Sequence, residues 1–222
     1  QRSIENFDVS GKEIPKELIY SIVKIKKACA AANLELKVLD RKKAGAITKA
    51  CNEILQGNLD SEFPIDIYQA GSGTSTNMNV NEVIANRASV ILGKRKGSKF
   101  VHANDDVNKG QSTNNVFPSA IRVSSTEQAI LLLGNLQDLI KALKKKGNEF
   151  SRTVKAGRTH LQDAVPITLG QEFHAYAHAL EKNYERIKDS LKYVKRLGVG
   201  GSAVGTGINT KPSFRNKIIK NL

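Results

Sequence analysis

Residues 168–197 read TLGQEFHAYAHALEKNYERIKDSLKYVKRL, and a single apolar row runs through them. Phe173, Ala177, Leu180, Tyr184, Ile187, Leu191 and Val194 follow one another in alternating steps of four and three residues. An α-helix has about 3.6 residues per turn, so such steps keep one narrow stripe on one side of a helix. Glu181, Lys182, Arg186, Lys188, Asp189, Lys192 and Lys195 fill the solvated or partner-facing remainder. The stretch predicts a long helix, running from Thr168 to about Leu197, that lays its seam against neighbours in a bundle.

Working outward, residues 129–143 (AILLLGNLQDLIKAL) are apolar almost all round, which predicts a long helix from near Pro118 to about Lys146 that is buried on several sides. Pro118 suits a first helical turn. Residues 16–33 and 38–56 carry Leu18, Ile22 and Ile25, then Ala44, Ile47, Ala50 and Ile54, at helical spacing. Asp40 is placed to cap the second of these helices and Gly57 to end it. A further helix is expected from about Asn79 to Leu92, stopping at Gly93. Strand signals are weak, residues 151–167 read as a connecting segment, and no repeat is present, so the fold class is mainly α.

The chain of 222 residues is long enough for a real hydrophobic core, and 40% hydrophobic with 25% charged residues is ordinary for a globular protein. No apolar run approaches the roughly 20 residues of a membrane-spanning helix. The N-terminus shows no signal-peptide core. Cys29 and Cys51 lack ligand spacing, which points to a reduced, cytoplasmic setting. Lys and Arg total 35 against 21 acidic residues, a net charge of +14. Such an excess suits nucleic acid, acidic membranes or anionic small substrates. The lysines are scattered, aromatics are only 5% and Trp is absent, so neither nucleic acid nor membrane is expected as a partner.

Three polar segments join the helices. In Gly71-Ser72-Gly73-Thr74-Ser75-Thr76-Asn77, glycines allow close backbone approach and hydroxyls precede a helix start, where an anion is favoured. The same residues also suit a capped turn, with Thr76, Asn77 or Asn79 as cap. The second segment is His102-Ala103-Asn104-Asp105-Asp106 followed by Gln111-Ser112-Thr113-Asn114, dense in hydrogen-bonding side chains. Ser112 and Thr113 could equally cap the next helix. The third is Gly157-Arg158-Thr159-His160-Leu161-Gln162-Asp163-Ala164, where His160 is either an acid/base candidate or a solvated loop histidine.

Two other patterns carry less. His174 and His178 are four apart but lack the Glu of a HExxH motif and lie off the seam, so surface histidines are the better reading and no metal site is assigned. Gly198-Val199-Gly200-Gly201-Ser202-Ala203 fits a loose dinucleotide fingerprint, yet it follows a helix instead of a strand and reads as a flexible turn.

Together the stretches QRSIENF, AGSGTSTNMNVNEVIANRAS, VHANDDVNKGQSTNNVFPSAIRV, KAGRTHLQDAVPITLGQEF and GGSAVGTGINT resemble the class II fumarase and aspartase superfamily, in the family's order and over essentially the whole chain. The resemblance implies a small N-terminal helical domain over residues 1–110, carrying the first signature segment, and the first long helices of a central bundle over 111–222. It implies that Ser72, Gly73 and Thr74, with Asn77 behind them, bind a substrate carboxylate. Ser112, Thr113 and Asn114 would contact the substrate from a second subunit. Thr159 and His160 would come from the third segment, His160 relaying protons through a water. His102, Ala103, Asn104 and Asp105 match a secondary dicarboxylate site.

The family's chemistry is the reversible hydration of fumarate to L-malate through a carbanion, without metal or other cofactor, in a homotetramer whose active sites are shared between subunits. Such a carbanion needs donors already aimed at its carboxylate oxygens. By the same resemblance the setting is cytoplasmic, or mitochondrial in a eukaryote. Asn115 stands where an Asp is common and Gly110 where Ser is frequent. The family's later GSSxMPxKxNP loop, with its proton-abstracting serine, is absent from the 222 residues. The chain by itself is therefore expected to be inactive. Aspartate ammonia-lyase, sharing the fold and the proton abstraction, is the rival activity. An oligomerising fragment without catalysis is a third reading.

Overall fold

The computed structural model describes residues 2–222. Its elements are α1 (Arg2–Asn6), α2 (Lys16–Glu35), α3 (Arg41–Leu55), α4 (Thr74–Ile91), α5 (Thr113–Glu149), β1 (Val154–Thr159), β2 (Gln162–Thr168), α6 (Leu169–Val194) and α7 (Phe214–Asn221). The fold is mainly α, as read from the sequence. It divides into two compact units: the chain through Ser124 together with Leu197–Leu222, and Ser125–Arg196.

In the first unit α2, α3 and α4 pack through their apolar faces. Ile22, Val23, Ile25, Ile47, Ile54, Val80 and Ile84 are wholly buried, each such side chain contributing about 1.5–3 kcal/mol. Val116 and Ala120 of α5 and Phe214 and Ile218 of α7 complete this core. Asp40 caps α3 as expected, accepting from the backbone N–H of Lys42 at 2.9 Å and of Lys43 at 3.0 Å. Gly57 and Gly93, both with positive φ, follow the ends of α3 and α4.

Helix α4 begins at Thr74, five residues before the expected start. Its N-cap is Gly73 in the left-handed conformation, with no side-chain cap from Thr76, Asn77 or Asn79. Pro118 lies in the second turn of α5 rather than the first, so the Asn114 carbonyl cannot receive an N–H from it. Residues 198–203, expected as a flexible turn, are instead tight turns bonded to α5. The Gly198 N–H donates to Ser119 Oγ at 3.2 Å, and Asn115 Nδ2 donates to the Ser202 carbonyl at 3.0 Å.

The second unit holds the apolar seam of α6. Ala177 and Leu191 are buried, and Phe173, Leu180, Tyr184, Ile187 and Val194 are half-buried, with almost every intervening residue exposed. Thr168 and Gln171 form a capping box at its start. Opposite the seam, Gln137 Nε2 donates to the Tyr184 hydroxyl at 2.9 Å, and the rings of Phe150 and Phe173 stack with centroids 5.8 Å apart. The expectation that α5 is buried on several sides is corrected within this unit. Ile140 is buried and Leu133, Leu136 and Leu143 half-buried, but Ile130, Leu131, Leu132 and Leu139 are 47–62% exposed, because α6 packs along one side of the helix.

Residues 151–167 are not a plain connection. β1 and β2 pair antiparallel, from Val154↔Thr168 to Thr159↔Gln162, around a turn at His160 and Leu161. Most of both strands is exposed, so no alternating apolar pattern marks them. Neither turn residue is Gly, Asn or Asp, so the ordinary hairpin signal is absent too.

Candidate active site

The first segment is set by a side chain just ahead of it. Asp66 accepts from the backbone N–H groups of Tyr68 at 2.7 Å, Ser10 at 2.7 Å and Gly11 at 2.9 Å. These donors, with Tyr68 foremost, hold its carboxyl down at about 2. Gln69 Nε2 donates to the Asp66 carbonyl at 2.9 Å, while Gln69 Oε1 accepts from both the N–H and the hydroxyl of Thr76 at 2.8 Å. Gln69 thus does the capping that Gly73 cannot, and it closes Ala70–Ser75 into a loop over the start of α4. Gly73 is required there twice over. Its φ is +75°, and an added Cβ would stand 2.5 Å from the ring of Phe117.

That loop presents Ser72 and Thr74, both exposed, with their hydroxyls 3.0 Å apart. One proton serves the bond between them, so the other is available to an incoming acceptor. The N–H groups of Thr74 and Ser75 belong to a first helical turn, which has no preceding carbonyl to receive them. The positive end of α4 lies at the same place. The arrangement suits a carboxylate.

The second segment meets the first inside one chain. Asn77, 1% exposed, donates its Nδ2 to Thr113 Oγ1 at 3.0 Å. Thr113 accepts there and keeps its own proton for another acceptor. The resemblance has Ser112, Thr113 and Asn114 contact the substrate from a second subunit. Within one chain, the hydrogen bond joins this segment to the first. Asn77 therefore stands behind Thr113 as its support. Ser112 takes a capping role at α5, its Oγ accepting from the Asn114 N–H at 3.3 Å. Asn114 Nδ2 donates to the Ala203 carbonyl at 3.1 Å, and the buried Asn115 anchors to Ser202 next to it.

The secondary segment forms a single π-type turn, Ala103–Val107. The His102 N–H donates to Asp106 at 2.8 Å, and Asp106 pairs with Lys43 Nζ at 2.6 Å. His102 Nδ1 accepts from the Asp105 N–H at 3.2 Å. Ala103 is buried, whereas Asn104 and Asp105 are exposed. A cavity of about 710 Å³ lies along the face of α4 that carries Met78, Glu82, Val83 and Arg87; Ser75 lines it, but Ser72, Thr74 and Thr113 do not.

Thr159 and His160 belong to the second unit, at the exposed tip of the hairpin. His160 has φ +47° and Leu161 φ +60°, left-handed conformations that side chains other than Gly, Asn and Asp rarely take. His174 sits over Gly147 and His178 lies 3.4 Å from Glu181. Among the described residues no three His, Cys, Asp or Glu side chains gather as a metal site would need. Gln69 and Phe117 escaped the sequence reading, and nothing in it joined Asn115 to Ser202. The one available signal was an amide, Gln69, placed shortly before a hydroxyl-rich helix start.

A helical chain whose polar connecting segments present aligned hydroxyls and a helix start has the form of the fumarase and aspartase fold. The family model described as lyase matches residues 1–222, and the chain belongs to that family. It is 49% identical, over its full length, to the class II fumarate hydratase of Helicobacter pylori strain J99, of which it covers 48%. It is 50% identical to that of Chromobacterium violaceum, over 96% of the chain and 47% of the relative. The class II fumarase of Schistosoma mansoni superposes with a TM-score of 0.95 at 43% identity, over 99% of this chain and 47% of that one. A fumarate lyase:delta crystallin of Brucella melitensis gives a TM-score of 0.90 at 40% identity, over 99% of this chain and 50% of that one. The chain spans about half the length of the curated relatives it matches.

Proposed function

We propose that this chain contributes the substrate-carboxylate half of a fumarate hydratase, which adds water reversibly to fumarate to give L-malate. The observation that carries the reading is the bond from Asn77 to Thr113, which gathers the Ser72–Thr74 loop and the Ser112–Asn114 segment around one helix start. Proton removal beside a carboxylate leaves a carbanion whose charge moves onto that carboxylate. Hydroxyl and N–H donors already aimed at it lower the barrier. His160, at the hairpin tip, serves as the proton relay on the hydroxyl side, with Thr159 beside it. His102, Ala103, Asn104 and Asp105 form a secondary dicarboxylate site. The division at residues 110 and 111, the homotetramer with shared sites, the cytoplasmic setting and the inactivity of the chain alone belong to the same proposal. No helix among the described residues is long and apolar enough to cross a membrane.

The test is absorbance of fumarate after adding L-malate, and separately L-aspartate, to this chain joined to the residues that follow it. Fumarate from malate, lost in His160→Ala and Ser72→Ala, supports the hydratase. Fumarate from aspartate alone would make the protein an ammonia-lyase. A second reading rests on the exposed Ile130, Leu131, Leu132 and Leu139 of α5, which suit an assembly face. Silence with both substrates from a folded oligomer would favour it.

A further inference from the structure

We propose that Lys26 is a positioning residue for the substrate-contacting segment Ser112–Asn114, acting through Asn108. Lys26 lies on the inward face of α2 with no exposed surface at all. Its hydrogen-bond partner is a neutral amide: Nζ donates to Asn108 Oδ1 at 2.7 Å. The ionisable groups facing it are Cys29 on α2 and Cys51 on α3, and burial pushes both thiols up to about 12, so they supply no negative charge. Burying an ammonium without a counter-charge is costly, and a hydrocarbon of equal length would serve the core better. What the lysine adds is the tether.

The tether holds the link between the two halves of the second segment. Asn108 Nδ2 donates to the Gln111 carbonyl at 3.3 Å, and the Gln111 N–H donates to the Asn108 carbonyl at 2.9 Å. Gln111 Nε2 in turn donates to the Val107 carbonyl at 2.9 Å. About two helical turns further along α2, Asn33 Nδ2 donates to the Lys109 carbonyl at 3.0 Å. Residues 107–111 are thus laced to α2 at two points, and Ser112 follows at once. A shift of Asn108 moves the start of α5, and Thr113 with it.

The test is hydrogen exchange of the full-length protein, with Lys26→Met, Asn108→Ala and Asn108→Asp. In Lys26→Met and Asn108→Ala the amides of residues 108–115 should exchange at least tenfold faster, while those of α3 keep wild-type protection. Asn108→Asp, which keeps the acceptor for Lys26 Nζ but loses the Nδ2 donor to the Gln111 carbonyl, should exchange more slowly at 108–115 than Asn108→Ala. Unchanged exchange at 108–115, or equal loosening of α3, would overturn the proposal. If Lys26→Met does not fold, the two Asn108 variants decide it alone. A second arm rests on the hydratase reading: kcat/KM for L-malate should fall about tenfold in either single variant and no further in the double. Losses that multiply would mean independent roles and would also overturn it. A wild-type protein inert toward malate would refute the hydratase reading and leave the exchange result standing.

Discussion

The side-chain amide of the buried Asn77 donates to the hydroxyl of Thr113, thirty-six residues along the chain and 3.0 Å away. The bond consumes the hydroxyl's acceptor side and leaves its proton to a ligand. Thr113→Val keeps the shape but strands the Asn77 amide, at a cost of about 1–3 kcal/mol. Urea denaturation should show that loss. In the full-length protein, kcat/KM for malate should fall by more than the loss of folded protein explains.

Gln69→Leu removes both acceptor contacts to Thr76, and with them the only side-chain cap α4 has among the described residues. A lost cap costs about 1–2 kcal/mol. Because the loop loosens while the hydroxyls remain, substrate binding should suffer before chemistry, so KM should rise more than kcat falls.

Gly73→Ala places a methyl group against Phe117 at a φ of +75°. Left-handed strain of about 1–2 kcal/mol adds to overpacking of about 1–3 kcal/mol. Phe117→Leu in the same chain should recover only the packing share, and thermal melts of the single and double variants would separate the two.

Burial lowers Lys26 from 10.5 to about 7. Between those values the unfolded chain holds a proton that the folded one releases, so this group makes stability rise with pH. Its share is up to about 1.4 kcal/mol per pH unit. Below about 7 both states are protonated, and the full cost of the buried charge is present. Lys26→Met should abolish this part of the slope in urea midpoints taken from pH 7 to 10, and should be the more stable form at pH 7.

Leu161 is 91% exposed at a φ of +60°. Replacement by Asn, which tolerates that conformation, should raise the stability of the hairpin by about 0.5–1 kcal/mol. A rise in melting temperature would show it. A fall would mean that Leu161 makes contacts in an assembly.

Much of this was legible in advance. The α6 seam, the Asp40 cap and the stops at Gly57 and Gly93 are local matters, decided by neighbours three or four residues apart, and the chain states them directly. The hairpin was not legible, because its strands are exposed and its turn residues are unusual. Nor was the start of α4, since its cap comes from Gln69, outside the helix.

The candidate site divides along the same line. Residue types mark the three polar segments as candidates, and the roles of Ser72, Thr74, Thr113 and His160 are what the family resemblance of those segments implies. That Asn77 stands behind Thr113, that Phe117 rests on Gly73, and that Lys26 reaches Asn108 are contacts between residues tens of positions apart. Periodicity carries no information about such distances. They are decided when the α2, α3 and α4 core closes and brings the loops to one place, and so only the tertiary structure could assign them.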